Sequence, residues 1–113
     1  MLNLEKIDKV YLAYGYTDLR KSIDGLVSEV VSSLKLDPKE KSLFVFCNKS
    51  RNRIKILHFD EGFWIYYYRS ENTIKWPNSI EDAVCINKEE LRWLLKGFEL
   101  RIEKKKKEYK NYY

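Results

Sequence analysis

Lys49, Arg51, Arg53 and Lys55 stand at every second position of the segment CNKSRNRIK. In an extended chain residues i and i+2 share a side, so Arg53 and Lys55 project one way while Ile54 and Ile56 project the other. Cations aligned in this manner beside exposed rings form a surface for polyanions, and nucleic acid is the polyanion they suit best. Arg20 and Lys21, near the start of a predicted helix, and Arg69, ending FWIYYYR, are candidates for the same patch. Each phosphate that such a patch neutralises steepens the salt dependence of binding by roughly one log unit per log of salt. Trp64, Tyr66 and Tyr68 offer rings on which the bases of a single strand could stack. A plainer reading stays open for every one of these residues: cross-strand aromatic pairs pack under a helix while Lys and Arg solubilise the outer face.

Catalytic chemistry is harder to place. A hydrolase or phosphotransferase needs a nucleophile beside a base, clustered metal ligands, or a Gly-rich phosphate loop. The chain has a single histidine, His58, in HFDEG. On a strand His58 and Asp60 share a face, which suits a metal or a proton relay, although Asp60, Glu61 and Gly62 are also ordinary turn residues. Asp18, Asp24 and Glu29 fall on one predicted helical segment, whereas two-metal catalysis needs carboxylates converging from separate elements. No catalytic residue, metal ligand or cofactor is therefore assigned, and the chain is read as a non-enzyme. The alternative is a small metal-dependent nuclease or hydrolase centred on His58.

The elements that must position these residues follow from periodicity. KVYLA, residues 9 to 13, reads as a strand; Gly15, Thr17 and Asp18 then mark a turn, with Thr17 as helix N-cap and Asp18 favoured by the helix dipole. Leu19, Ile23, Leu26, Val27, Val30, Val31 and Leu34 recur at three- and four-residue steps, predicting an amphipathic helix stopped by Asp37 and Pro38. Gly25 inside it costs about 1 kcal/mol against Ala and is expected to permit close helix-to-sheet approach. LFVF, RIKILHF and FWIYYYR, joined at residues 48–52 and 60–62, predict a three-strand meander. An irregular stretch over residues 70–82 leads to AVCI, a candidate edge strand, and then to a helix that Asn87 caps with Glu90 three residues on. The expected fold is α+β: a small antiparallel sheet with helices packed on one face, a dry side and a cationic side.

Length, charge and composition bound the function. At 113 residues there is room for one domain and one modest core. The expected division is a single domain over residues 1–100 and a basic C-terminal extension or tail over residues 101–113. That tail holds six Lys or Arg against two Glu, hence +4 of the formal net charge of +5. It reads as a solvated helix end or as an arm that touches phosphates. Nine Tyr, three Trp and five Phe are more aromatic bulk than so short a chain needs for folding, so some rings are expected at the surface. Cys47 and Cys85, far apart and without ligand-spaced neighbours, read as buried reduced thiols. No run approaches a membrane span and MLNLEKIDKV lacks a signal-peptide apolar core, so the expected location is cytoplasmic, with no membrane partner.

VYLAYGYTDLRKSIDGL at residues 10 to 26, LFVFCNKSRNRIKIL at 43 to 57, GFWIYYYR at 62 to 69, Trp76-Pro77, and LRWLLKG at 91 to 97 together resemble a known family. It is the accessory protein encoded by the second open reading frame of family 66 bacterial insertion sequences, the TnpB-type transposition helper. The resemblance implies a non-catalytic accessory in DNA transposition, acting beside a separate, larger transposase that holds the acidic catalytic residues. Its implied partners are DNA, at the element ends, and the cognate transposase, with no small-molecule substrate. Thr17, Asp18, Arg20, Lys21, Asp24, Gly25, Arg53, Lys55 and Arg69 match positions of the family pattern, and with Trp76 they are carried over as candidates for a shared surface.

Overall fold

LFVF is apolar at both parities, so the strand that contains it must be covered on both faces. That requirement sets the architecture. The computed structural model describes residues 4–77 and 84–97. After a 3₁₀ turn at Leu4–Lys6, the elements are β1 (Lys9–Leu12), α1 (Ile23–Glu29), β2 (Ser42–Cys47), β3 (Arg53–Phe59), β4 (Phe63–Arg69), β5 (Val84–Ile86) and α2 (Lys88–Leu95). They form one five-stranded sheet in the order β4-β3-β2-β1-β5. The meander β2-β3-β4 is antiparallel, as expected, and AVCI supplies the edge strand β5, antiparallel to β1. The sheet is mixed rather than purely antiparallel, because β1 and β2 pair in parallel with Lys9 beside Ser42 and Leu12 beside Val45. A parallel pair needs a crossover, and α1 is that crossover.

The fold is α+β, but its two helices lie on opposite faces. Leu26 and Val30 of α1 pack with Tyr11, Ala13, Phe44, Phe46 and Leu57. Leu91 and Leu94 of α2 pack with Val10, Leu12, Leu43, Val45, Ile54 and Ile56 on the other side. Every residue of β2 is buried, which answers the double apolar parity of LFVF. Burying Phe44 and Phe46, both essentially inaccessible, stabilises by about 1.5–3 kcal/mol each. Arg53 and Lys55 share their parity with Leu57 and so lie on the α1 face; the expected bare cationic side does not exist.

Helix α1 starts later than expected. Ser22, not Thr17, occupies the N-cap position, and Asp18 instead closes a turn through Lys21 N–H to the Asp18 carbonyl (3.2 Å) and Arg20 N–H to Asp18 Oδ1 (3.0 Å). The helix continues as a π turn over Val30–Leu34 and ends at Lys35, whose φ of 57° breaks the repeat. Gly25 has another role than the one expected. A Cβ there would meet the Lys21 Cβ at 3.0 Å, so the missing side chain leaves space for the stem of Lys21 rather than for the sheet. Helix α2 begins as expected: Asn87 and Glu90 form a reciprocal capping box. The basic extension over residues 101–113 lies outside the described residues.

Candidate nucleic-acid interface

The chain between β2 and β3 carries two of the predicted cations and is built around one side chain. Asn48 Oδ1 accepts from the N–H groups of Asn52 and Arg53 (both 3.0 Å), and its Nδ2 donates to Asn52 Oδ1 (2.8 Å). Arg51, at φ 58°, donates its N–H to the Asn48 carbonyl and accepts at its own carbonyl from Ile74 N–H at 2.7 Å. The loop is further tied to the chain after β4 by Ser70 N–H donating to the Asn52 carbonyl (2.8 Å). Lys49 and Arg51 are thus presented on a fixed frame. Lys49 Nζ stands 5.6 Å from the centroid of the Tyr16 ring, which is exposed.

At the same end of the sheet Arg53 of β3 lies directly opposite Arg69 of β4, and the next pair on that face is Lys55 opposite Tyr67. Like charges placed opposite each other destabilise a ladder. Among the described residues neither arginine forms an ion pair. Tyr67, two residues before Arg69 and on the same face, is 56% exposed, so a bare ring shares that surface with the two arginines. Such an arrangement offers phosphate oxygens two forked donors and offers a base one stacking surface.

The remaining predicted cations are occupied. Arg20 chelates Asp18 through Nε (3.0 and 3.1 Å) and Nη2 (2.7 Å), and these bonds hold the Asp18 carboxyl down at about 2. Lys21 folds back over Gly25 to pair with Glu29, whose pKa is lowered first by that bond and then by Ser33. Lys55 Nζ donates to the Lys21 carbonyl (3.2 Å), which fastens the entry of α1 to β3. Of the seven candidate cations, Lys49, Arg51, Arg53 and Arg69 gather at one end of the sheet, while Arg20, Lys21 and Lys55 are drawn into internal bonds.

Several candidate surface residues are structural. Trp76 is only 4% exposed, and its indole N–H donates to the Ala13 carbonyl (2.9 Å), while the Pro77 carbonyl accepts from Gly15 N–H (2.9 Å). Trp76-Pro77 therefore belongs to the core and pins the end of β1. Thr17 is half-buried with its N–H on the Cys47 carbonyl (2.8 Å); Asp24 is exposed on α1. Tyr66 and Tyr68 pack against the α2-side core instead of standing free, and Tyr68 Oη donates to the Leu95 carbonyl (3.2 Å). The ring that sequence reading passed over is Tyr67. Its signal was available, since it stands two residues before Arg69 and so shares its face.

His58 is 5% exposed on the α2 face of β3, between Leu43 and Trp64, and its Nδ1 is buried without a hydrogen-bond partner. No group of three His, Cys, Asp or Glu among the described residues is placed to hold a metal ion. Cys47 and Cys85 form no disulfide; Cys47 is buried, and burial pushes its thiol up to about 11, while Cys85 is half-buried. No helix among the described residues is long and apolar enough to cross a membrane.

No solved structure matches the chain. An uncharacterised protein of Sinorhizobium fredii, y4hO, is 32% identical over 95 residues, covering 82% of this chain and 83% of its own. The family model for IS66 Orf2-like proteins matches residues 8–105, which takes in both helices, all five strands and the four gathered cations. This chain belongs to the IS66 Orf2-like family.

Proposed function

We propose that the protein is a non-catalytic accessory in the transposition of an insertion sequence, working in the cytoplasm beside a separate transposase and contacting element DNA through Lys49, Arg51, Arg53 and Arg69. Membership of the IS66 Orf2-like family supports the transposition role. The observation that carries the DNA contact is the Arg53–Arg69 cross-strand pair, two like charges held side by side beside the exposed Tyr67. Repulsion between them is relieved when an anion bridges them, so the pair is worth more bound than free. The exposed Trp64 and Trp93 are the rings available to the transposase, since aromatic anchors dominate protein contacts.

The test is anisotropy titration of an element-end duplex and a scrambled duplex across a salt series. Tighter binding to the element end, with Arg53→Glu plus Arg69→Glu lowering the log–log salt slope by about 2, supports the reading. Unchanged affinity and slope in that variant would remove the patch. Co-purification with the transposase, lost on Trp93→Ala, checks the second contact.

A further inference from the structure

The opposite end of the sheet holds a second cationic feature with a different shape. A cleft of about 240 Å³ is lined by Lys6, Lys39, Lys41, His58, Phe59, Asp60 and Glu61. The lysines come from two segments of the chain: Lys6 ends the 3₁₀ turn, while Lys39, in a turn closed by its own N–H on Asp37 Oδ1 (2.9 Å), and Lys41 directly precede β2. The backbone that carries them is fixed, because Asp8 N–H donates to the Lys41 carbonyl (2.7 Å) and Ser42 N–H to the Glu40 carbonyl (2.8 Å). Glu40, the acid between two of the lysines, is held by the buried Ser42, whose hydroxyl donates to Oε2 at 2.9 Å. Among the described residues none of the three lysines forms an ion pair.

His58 lines this cleft, is 5% exposed, and has a buried Nδ1 that no protein group satisfies. Three lysine ammoniums against the Asp60 and Glu61 carboxylates leave an excess positive charge, and Phe59, with Lys39 Nζ 5.5 Å from its ring centroid, gives one apolar wall. The volume is below the roughly 300–1,000 Å³ of sites for drug-sized ligands, so a small group is indicated and not a whole cofactor.

We propose that this cleft is an anion site that takes a phosphate group, with Lys6, Lys39 and Lys41 meeting its oxygens beside the His58 ring. The site does not rest on the DNA reading, because it shares no residue with the Arg53–Arg69 end. The phosphate can come from a free small anion or from a nucleic-acid terminus, which present the same group.

His58 is the only histidine, so its imidazole NMR signals report on the cleft without ambiguity. Titration of the intact protein with inorganic phosphate is expected to shift them saturably, while sodium chloride at matched ionic strength does not. Lys39→Ala plus Lys41→Ala, both at exposed positions, should weaken that response at least about tenfold, as expected for two lost charge-assisted bonds. Competition by a 5′-phosphorylated oligonucleotide, but not by its unphosphorylated twin, would support the site with a nucleic-acid end as the source; saturation by free phosphate without such competition would support it with a small anion. An absent response, one reproduced by chloride, or one unaltered in the double lysine variant overturns the proposal. Arg53→Glu plus Arg69→Glu should leave the phosphate titration intact, so failure of the DNA reading and failure of this one are separately visible.

Discussion

The two ends of the sheet carry similar numbers of cations and use them differently. At one end Arg53 of the inner strand β3 faces Arg69 of the edge strand β4 beside an exposed ring, with Lys49 and Arg51 on a loop stapled by Asn48. At the other, Lys6, Lys39 and Lys41 border a cleft that the His58 ring also lines. The first suits an extended, repeating anion that can lie across a surface. The second suits one compact group that can enter. Counting charges cannot separate them. The relevant differences are whether acids are near, how far the site is enclosed, and whether a guanidinium fork or an ammonium point charge is offered.

The largest expected effect comes from loosening one end at its root. Trp76→Ala removes a buried ring and orphans the Ala13 carbonyl, and is expected to cost about 3–5 kcal/mol in urea denaturation. If the ends are independent, hydrogen exchange should rise most around residues 13–17 and 48–52 and least around the lysine cleft. Uniform loss of protection would show one cooperative unit instead.

Next in size is a crossed pair of variants. Arg53→Glu plus Arg69→Glu should weaken duplex binding by more than about tenfold, two phosphate contacts being lost, and Lys39→Ala plus Lys41→Ala should leave the salt slope for duplex unchanged. Equal losses in anisotropy titrations would break the distinction between the two ends.

A smaller effect sharpens it. Arg69→Glu alone converts a like-charge cross-strand pair to an opposite-charge one and is expected to stabilise the fold by up to about 1 kcal/mol at low salt, while DNA affinity falls. Gain of urea stability together with loss of binding marks a residue kept for function at the expense of the ladder.

The smallest concerns Asp18. Its pKa in the folded protein is about 2, below the ordinary carboxylate value, through its bonds to Arg20. A lowered pKa contributes stability that is present above the unfolded-state value and is lost as pH falls toward 2. Asp18→Asn should therefore flatten the acid limb of the stability curve below about pH 4, modestly, because the pair is solvent-exposed. The variant also releases Arg20, and the salt slope for duplex binding should rise by no more than about one.

Much of the architecture was legible because it rests on local rules. The period-two runs of the meander, the three- and four-residue steps of the helical stripe, and the Asn87–Glu90 capping box each act within a few residues and each is present. LFVF within the meander reads as one member of a half-wet sheet, which puts both helices on one face, although its two apolar parities demand cover on both faces. Gly25 reads as room for the sheet because sequence shows a vacancy on a helix but not its occupant, the stem of Lys21. Trp76 reads as a surface candidate by the family resemblance, yet its indole is bonded to a carbonyl 63 residues away.

From sequence alone came the α+β composition, the family, the meander and the inventory of cations, all of which depend on residue type and short spacing. Tertiary structure alone decided which cations are spent on distant partners, as Lys55 is on the Lys21 carbonyl, and which, like Arg53 and Arg69, carry no ion pair among the described residues. The reason is physical: a charge's availability depends on what lies within a few ångströms of it, and those neighbours are set by strand register and helix crossover rather than by position along the chain.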